Sequence, residues 1–409
     1  MAGIEPVRHF FLRNRKVFTL GFAALMISSL GDLLAGATLG SMNQTLSQIA
    51  GLMILIPAAI GMRGNIFGAL GSRLGTAMNI GTFELSMRKG SLLRQNFEAS
   101  LLLTIIMSFL MGVMASGIAS LLGVETEGVQ VFVFISVVGG FLAGVVLVLI
   151  NILVATVGFK RGWDIDNFSA PIITAAGDVV TLPMLFLAAI LVRDDLIPML
   201  LIDAFALALL LLTLYLVWRV VRMPENEIKR VVIVTAPVLV LCALLDIGAG
   251  LTIEHELETL VASAALLVMI PPFLEDANAL GGILTSRLAS LLHMGLLEPR
   301  RLPGKVALEN FAIIYIFALW VFTLVGVMAY IVAVLLSLGS PSLLSMVGIS
   351  LVAGLLTVTV LNLLSYYVAI YTFRFNLDPD DHSIPITSSA IDLVGAVFFI
   401  ACVIMLGGV

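Results

Sequence analysis

Long apolar runs separated by short polar breaks make up most of the chain. A helix needs about 20 apolar residues to cross the roughly 30 Å of hydrocarbon in a bilayer. Eleven runs reach or approach this length, and they cover residues 17–39, 46–62, 93–122, 129–158, 168–192, 196–218, 231–252, 259–275, 306–338, 342–372 and 384–408. The pattern therefore predicts an all-α polytopic membrane protein with about 11 transmembrane helices.

The composition agrees with this class of protein. Of the 409 residues, 60% are hydrophobic and 11% are charged, whereas a soluble domain carries about 25% charged residues. A basic start before the first run would also fit a signal peptide, but the run continues to about Gly40 and others follow, so we interpret it as a span. Cys242 and Cys402 both lie in apolar runs, which argues against a disulfide framework or a thiolate metal cluster.

The basic residues indicate the orientation of the chain. With the N-terminus in the cytoplasm, 20 of the 21 Lys and Arg residues fall on the cytoplasmic side and only Arg193 falls outside. An excess of basic residues marks the cytoplasmic loops of membrane proteins. We therefore predict a multi-pass protein of the cell membrane with a cytoplasmic N-terminus and, because the number of spans is odd, an external C-terminus.

Three separated blocks of sequence recur 214 residues further along the chain without any gap, as from Asp178 to Asp392. The blocks begin at residues 30, 57 and 164, and their copies begin at residues 244, 271 and 378. The matched pairs include Asp32 with Asp246, Pro57 with Pro271, Arg73 with Arg287, and Gly81 with Gly295. Because the matches fall on Asp, Pro, Arg and Gly rather than on Leu and Val, they indicate an internal repeat.

The repeat predicts how the chain is organised. Residues 1–194 form a first five-helix repeat, residues 195–230 contain a linker transmembrane helix, and residues 231–409 form a second five-helix repeat. The unduplicated linker helix lets both repeats enter the membrane from the cytoplasm. Two parallel repeats are then related by a pseudo-two-fold axis along the membrane normal.

Acidic residues lie inside the predicted spans, whereas Lys and Arg occur only at the ends of the spans. The acids are Asp32, Asp178, Asp203, Asp246 and Asp392, with Glu275 and Asp276 at the end of the short eighth span. A single carboxylate at the centre of a bilayer costs at least about 2.5 kcal/mol. Without a basic partner, these carboxylates either carry a proton or bind a cation.

The repeat brings two of these acids to the same predicted depth. Asp178 and Asp392 would face each other across the pseudo-two-fold axis, and two carboxylates there repel unless a cation or a proton lies between them. We interpret this pair as a cation site, with a protonated structural pair as the alternative. Asp32 and Asp246 either join the site or hydrogen-bond a neighbouring helix, and Asp203 is expected to be structural or to lie at the lipid interface.

The predicted neighbours of the pair are oxygen donors. They are Asn65, Thr174, Thr181, Ser388 and Ser389. None of the four histidines lies in the middle of a span. Hard oxygen ligands favour Mg²⁺, Mn²⁺ or Ca²⁺ over zinc or copper, and Na⁺ also remains open.

A segment rich in proline and glycine follows the second span, from Pro57 to Gly81. Such a segment predicts a broken helix that lines the cytoplasmic half of a pore, or close packing of helices through small residues. We expect Arg73 and Arg287 to stabilise the fold by pairing with acids such as Asp166 or Asp380. The acidic clusters "DID" from Asp164 and "DPDD" from residue 378 are either solvated loops or peripheral cation sites.

These motifs resemble the MgtE-type magnesium transporter family, which includes the eukaryotic solute carrier family 41. The residues of the first half that carry the resemblance are Pro57, Gly61, Gly64, Asn65, Ser72, Arg73, Asp164, Asp166, Asn167, Pro171, Gly177 and Asp178. The resemblance implies a five-helix unit that dimerises around a divalent-cation pore. It also implies that the Asp of the "GD" motif binds the ion, which is Asp178 here and, through the repeat, Asp392.

The second half departs from the family pattern. It has Ile391 in place of Gly177, and "EDAN" from Glu275 in place of "GMRG" from Gly61. Glu275 and Asp276 would therefore add negative charge on one side of the pore only. Because both halves belong to one chain, the resemblance implies that a single chain forms the complete pore as a pseudo-dimer.

The sequence therefore predicts a divalent-cation transporter with its pore at the interface of the repeats. The cation is expected to be Mg²⁺, with Mn²⁺ or Ca²⁺ as further substrates, and the other partner is the lipid bilayer rather than nucleic acid. The alternative is a secondary carrier that exchanges a divalent cation for Na⁺ or H⁺. An enzyme is not expected, because the sequence has no nucleophile–base pair, H-E-x-x-H motif or phosphate-binding loop.

Overall fold

The computed structural model describes residues 15–161, 169–375 and 384–406. These residues form thirteen helices and no strand. The helices are α1 (Arg15–Ser41), α2 (Asn43–Gln48), α3 (Leu52–Asn79), α4 (Leu92–Leu121), α5 (Val129–Arg161), α6 (Ser169–Arg193), α7 (Met199–Arg222), α8 (Glu227–Glu254), α9 (Leu257–Ala262), α10 (Ala264–His293), α11 (Lys305–Leu335), α12 (Leu343–Phe375) and α13 (Ile384–Leu406).

Eleven of these helices are long and apolar enough to cross a membrane, and only α2 and α9 are short. The prediction of an all-α polytopic membrane protein is thus confirmed. The chain is a multi-pass membrane protein whose long helices satisfy their backbone hydrogen bonds internally, as a bilayer requires.

The predicted break after the second span is wrong. α3 runs without interruption from Leu52 to Asn79 and contains Pro57 in its second turn. A proline near the start of a membrane helix removes one backbone hydrogen bond without ending the helix. The predicted spans 46–62 and 259–275 are also wrong at both ends, because the short helices α2 and α9 precede α3 and α10.

The internal repeat extends to the helix boundaries. The bounds of α2 and α9, and those of α5 and α12, differ by the same 214 residues that relate Asp178 to Asp392. α7 has no counterpart, in agreement with its predicted position between the halves. The domain limits at residues 194 and 230 stay a prediction.

Individual contacts repeat as well. Arg73 donates from Nε to Asn96 Oδ1 at 2.9 Å, and Arg287 donates from Nε to Asn310 Oδ1 at the same distance. Both pairs join the third helix of a half to the next long helix, from α3 to α4 and from α10 to α11. The predicted partners Asp166 and Asp380 lie outside the described residues.

The two halves exchange their first helices. α1 packs against α10 and α6, and α8 packs against α3 and α13. The interior of the bundle is therefore built from both halves. α7 packs on α4 and α5 at the periphery and exposes Leu200, Leu207 and Leu211, which is the surface expected of a helix that faces lipid.

Arg63 corrects the prediction that basic residues lie only at the ends of the spans. It lies in the middle of α3 and is fully buried, and its Nη2 donates to Ser108 Oγ on α4 at 2.7 Å. The side chain fits because Gly140 on α5 has no Cβ, which would collide with Nη2. The excess of basic residues on the cytoplasmic side therefore does not include Arg63.

The second half fills the same space differently. The counterparts of Arg63 and Ser108, again 214 residues on, are Ala277 and Phe322. The Phe322 ring lies against Gly354, the counterpart of Gly140, where a Cβ would collide with the ring. A guanidinium on α3 in one half and an aromatic ring on α11 in the other thus occupy equivalent positions.

This exchange of volume predicts a strong coupling between two substitutions. Ser108→Phe alone would place a ring in the space of the Arg63 guanidinium and remove its acceptor, which should cost about 2–4 kcal/mol of stability. Adding Arg63→Ala should restore most of that loss, because the pair then reproduces the second half. Thermal unfolding of the purified variants would measure the coupling, and strictly additive losses would contradict it.

Candidate cation site

Five buried aspartates converge from both halves of the bundle. They are Asp32 on α1, Asp178 on α6, Asp246 on α8, Asp276 on α10 and Asp392 on α13, and none is more than 5% exposed. Within the described residues, no salt bridge involves any of these side chains. Buried carboxylates without a basic partner are costly, so the cluster requires some other positive charge or a proton.

The structure brings Asp178 and Asp392 together. The Asp178 carboxyl lies within electrostatic range of Asp392, Asp32 and Glu275. Both of its oxygens are buried, and neither has a hydrogen-bond partner among the described residues. Asp392 differs, because its Oδ1 accepts a hydrogen bond from Asn278 Nδ2 at 2.9 Å.

Serine hydroxyls on α1 hold two of the other acids. Ser28 donates from Oγ to Asp32 Oδ2 at 3.2 Å within the helix, and Ser29 donates to Asp276 Oδ2 on α10 at 2.6 Å. In the described part of the chain, the second oxygen of each carboxylate, Asp32 Oδ1 and Asp276 Oδ1, is buried without a partner. Each acid thus keeps one oxygen for a further ligand.

The repeat is asymmetric where these acids meet α3 and α10. Asp246 lies against Gly61, where an added Cβ would be 2.8 Å from Asp246 Oδ2. The counterparts of this pair are Asp32 and Glu275. Glu275 lies within electrostatic range of Asp32, Asp178, Asp246 and Asp392, so the second half adds a carboxylate where the first half has only hydrogen.

Neutral oxygen and nitrogen atoms surround the acids. Thr174 on α6 faces Gly64 and Gly68 of α3, whose added Cβ atoms would be 3.4 Å and 3.3 Å from its Cγ2 and Oγ1. Glycines in α3 thus permit close packing, which is the second reading of the proline- and glycine-rich segment. Asn65 Nδ2, Thr181 Oγ1 and Ser389 Oγ are buried and have no partner among the described residues.

Two further observations bear on the predicted site. Among the residues that the structure describes, no group of three or more His, Cys, Asp or Glu side chains is close enough to hold one metal ion jointly. Asp203 is exposed on α7 and stands apart from the cluster, as expected for a residue at the lipid interface. The acidic clusters that begin at Asp164 and at residue 378 lie outside the described residues.

Sequence reasoning missed Asn278, Ser28 and Ser29. Asn278 replaces Gly64 of the first half, so it could have been found by asking which polar groups only one half contributes. Ser28 lies one helical turn before Asp32, a spacing that allows a side-chain contact. Ser29 could not be found in this way, because its partner Asp276 lies 247 residues away.

The MgtE family of divalent cation transporters matches the chain twice, over residues 56–188 and 270–402. The chain belongs to the MgtE family. The two matches coincide with the two halves, and the resemblance drawn from the sequence is confirmed. Members of the MgtE family are transporters, which also confirms the expectation that this chain is not an enzyme.

Relatives of this MgtE chain are members of solute carrier family 41. Member 3 of Rattus norvegicus is 23% identical over 405 residues, which cover 93% of this chain and 85% of the relative. Member 2 of Mus musculus is 26% identical over 400 residues, which cover 90% and 67%. Member 2 of Gallus gallus is 30% identical over 168 residues, which cover 39% and 29%. No solved structure matches the chain.

The contact between Gly61 and Asp246 predicts a site-specific effect of one methyl group. Gly61→Ala would push Asp246 Oδ2 away from α3, and we expect the initial rate of divalent cation uptake to fall about tenfold, equivalent to about 1.4 kcal/mol. Gly282→Ala is the matched control, because nothing lies within 4 Å of its added Cβ. Uptake assays in proteoliposomes would compare the two variants, and equal rates would contradict the assigned contact.

Proposed function

We propose that this chain transports a divalent cation, Mg²⁺ in the first place, along the acid cluster between its two halves. The observation that carries the proposal is the convergence of unpaired buried carboxylates on helices from both halves. In an interior of low dielectric constant these charges repel strongly. A passing divalent cation neutralises two of them at once.

Mg²⁺ fits the ligands that the cluster offers. It prefers six oxygen ligands, gives up its waters reluctantly and is usually held by one or two carboxylates. The Asp178 and Asp392 pair supplies two carboxylates, and Thr174 and Asn65 add neutral oxygens nearby. Mn²⁺ and Ca²⁺ also take oxygen ligands and are further candidate substrates.

The other acids extend the proposed route on either side of the central pair. Asp32 and Asp246 adjoin it in the two halves, and Glu275 and Asp276 add charge on the side of α10 alone. The pore then runs between a first repeat over residues 1–194 and a second repeat over residues 231–409. One chain forms the complete pore, in the cell membrane, with a cytoplasmic N-terminus and an external C-terminus.

A second candidate is exchange of a divalent cation for Na⁺ or H⁺. What favours it is the excess of negative charge, since one divalent cation balances two carboxylates and the cluster contains five buried aspartates and Glu275. The remaining carboxylates would then bind the exchanged ion. The two candidates share the same residues and differ in the energy source.

Removing the central charges tests the proposed site. The double variant Asp178→Asn and Asp392→Asn should reduce Mg²⁺ uptake into proteoliposomes by at least about 100-fold, because amide oxygens are weak ligands for Mg²⁺. Asp203→Asn is the matched control, an aspartate on α7 outside the cluster, and should leave uptake unchanged. Uptake that persists in the double variant would contradict the site assignment.

Imposed gradients distinguish the two candidate functions. If the chain is a pore, Mg²⁺ uptake should follow the Mg²⁺ gradient and the membrane potential alone. Uptake that stops when the Na⁺ or proton gradient is collapsed at constant membrane potential would assign the chain to the exchangers. The measurement is fluorescence of a Mg²⁺ indicator trapped in the liposomes, with liposomes without protein as the control.

A further inference from the structure

Asn278 makes the two central aspartates unequal. Its side chain reaches from α10 to α13, where Nδ2 donates to Asp392 Oδ1 at 2.9 Å. An ionised carboxylate only accepts hydrogen bonds, so the amide nitrogen must be the atom that faces Asp392. The amide oxygen, Asn278 Oδ1, is buried and has no partner among the described residues.

The first half has no equivalent of this hydrogen bond. The counterpart of Asn278 is Gly64, which has no side chain to offer Asp178. Neither oxygen of Asp178 has a hydrogen-bond partner in the described part of the chain. Asp178 can therefore present either oxygen or both to an ion, whereas Asp392 has one oxygen already engaged.

The residue before each aspartate adds to the difference. Ile391 precedes Asp392 and is 2% exposed, and its Cδ1 would be 2.9 Å from a Cβ added to Gly281 of α10. Gly177 precedes Asp178 and has no side chain to wedge against α3. α13 is thus held against α10 by side-chain contacts on both sides of Asp392 that α6 does not have with α3.

We propose that Asn278 is a positioning residue that fixes Asp392 as a one-oxygen ligand and thereby favours Mg²⁺ over Ca²⁺. This inference rests on the proposed function. Mg²⁺ requires six ligands in a nearly ideal octahedron, which a carboxylate meets through a single oxygen. Ca²⁺ accepts six to eight ligands and often takes both oxygens of a carboxylate. A hydrogen bond that occupies Asp392 Oδ1 removes this second mode of binding.

Replacing Asn278 tests the proposal. Asn278→Gly reproduces the first half, and Asn278→Leu removes the polar group without the flexibility of glycine. In proteoliposomes, each variant should raise the ratio of Ca²⁺ to Mg²⁺ uptake and the KM for Mg²⁺ by about three- to tenfold, the range expected for the loss of one buried hydrogen bond. The maximal rate of Mg²⁺ uptake should change little. An unchanged ratio in both variants would overturn the proposal.

Asn310→Ala is the matched control for loss of structure. It removes another amide with a 2.9 Å hydrogen bond, to Arg287 Nε, at a place without contact to the acid cluster. This variant should lose thermal stability without any change in the ratio of Ca²⁺ to Mg²⁺ uptake. A ratio that shifts as much as in Asn278→Gly would mean that general loosening causes the effect, which also overturns the proposal.

A cycle of variants separates action through Asp392 from a general effect. Equilibrium Mg²⁺ binding in detergent is the readout, because it does not require transport. Asn278→Gly should weaken binding in the Asp178→Asn background but cause no further loss in the Asp392→Asn background. Equal losses in both backgrounds would overturn the proposal. Failure of the unmodified chain to bind or take up Mg²⁺ would instead refute the proposed function.

Discussion

Unpaired carboxylates in the interior of a membrane bundle are the constraint on which this structure depends. Five buried aspartates have no salt bridge among the described residues, and water is not available there to solvate their charge. Such an arrangement is stable only when positive charge enters it. The same feature that would weigh against the fold of a soluble protein is thus what a transported cation uses.

The duplicated architecture explains how the carboxylates meet. Each half contributes its first helix to the other, so Asp32 on α1 faces α10 and Asp246 on α8 faces α3. The halves have since diverged inside a common frame. Arg63 stands where the second half places the Phe322 ring, and Gly61 and Gly64 stand where it has Glu275 and Asn278. Symmetric packing thus supports a cluster whose two sides differ in charge and in hydrogen bonding.

The number of long helices and the repeat could be predicted because both are recorded in local patterns. Apolar runs set the helices, and matches on Asp, Pro, Arg and Gly set the offset. The continuity of α3 could not be predicted, because proline and glycine break an isolated helix, whereas close neighbours such as Thr174 stabilise this one. Burial of Arg63 depends on Gly140, far away in sequence, and no local pattern reveals it.

The aspartates of the candidate site could be named in advance because an intramembrane acid is unusual by itself. Their hydrogen-bond partners could not, since Ser29 and Asn278 are ordinary residues until the fold places them beside Asp276 and Asp392. The most direct test of the account is to locate a bound cation by anomalous scattering from crystals grown with Mn²⁺. The account predicts a peak at direct or one-water distance from both Asp178 and Asp392. Peaks confined to surface loops, with none inside the bundle, would contradict it.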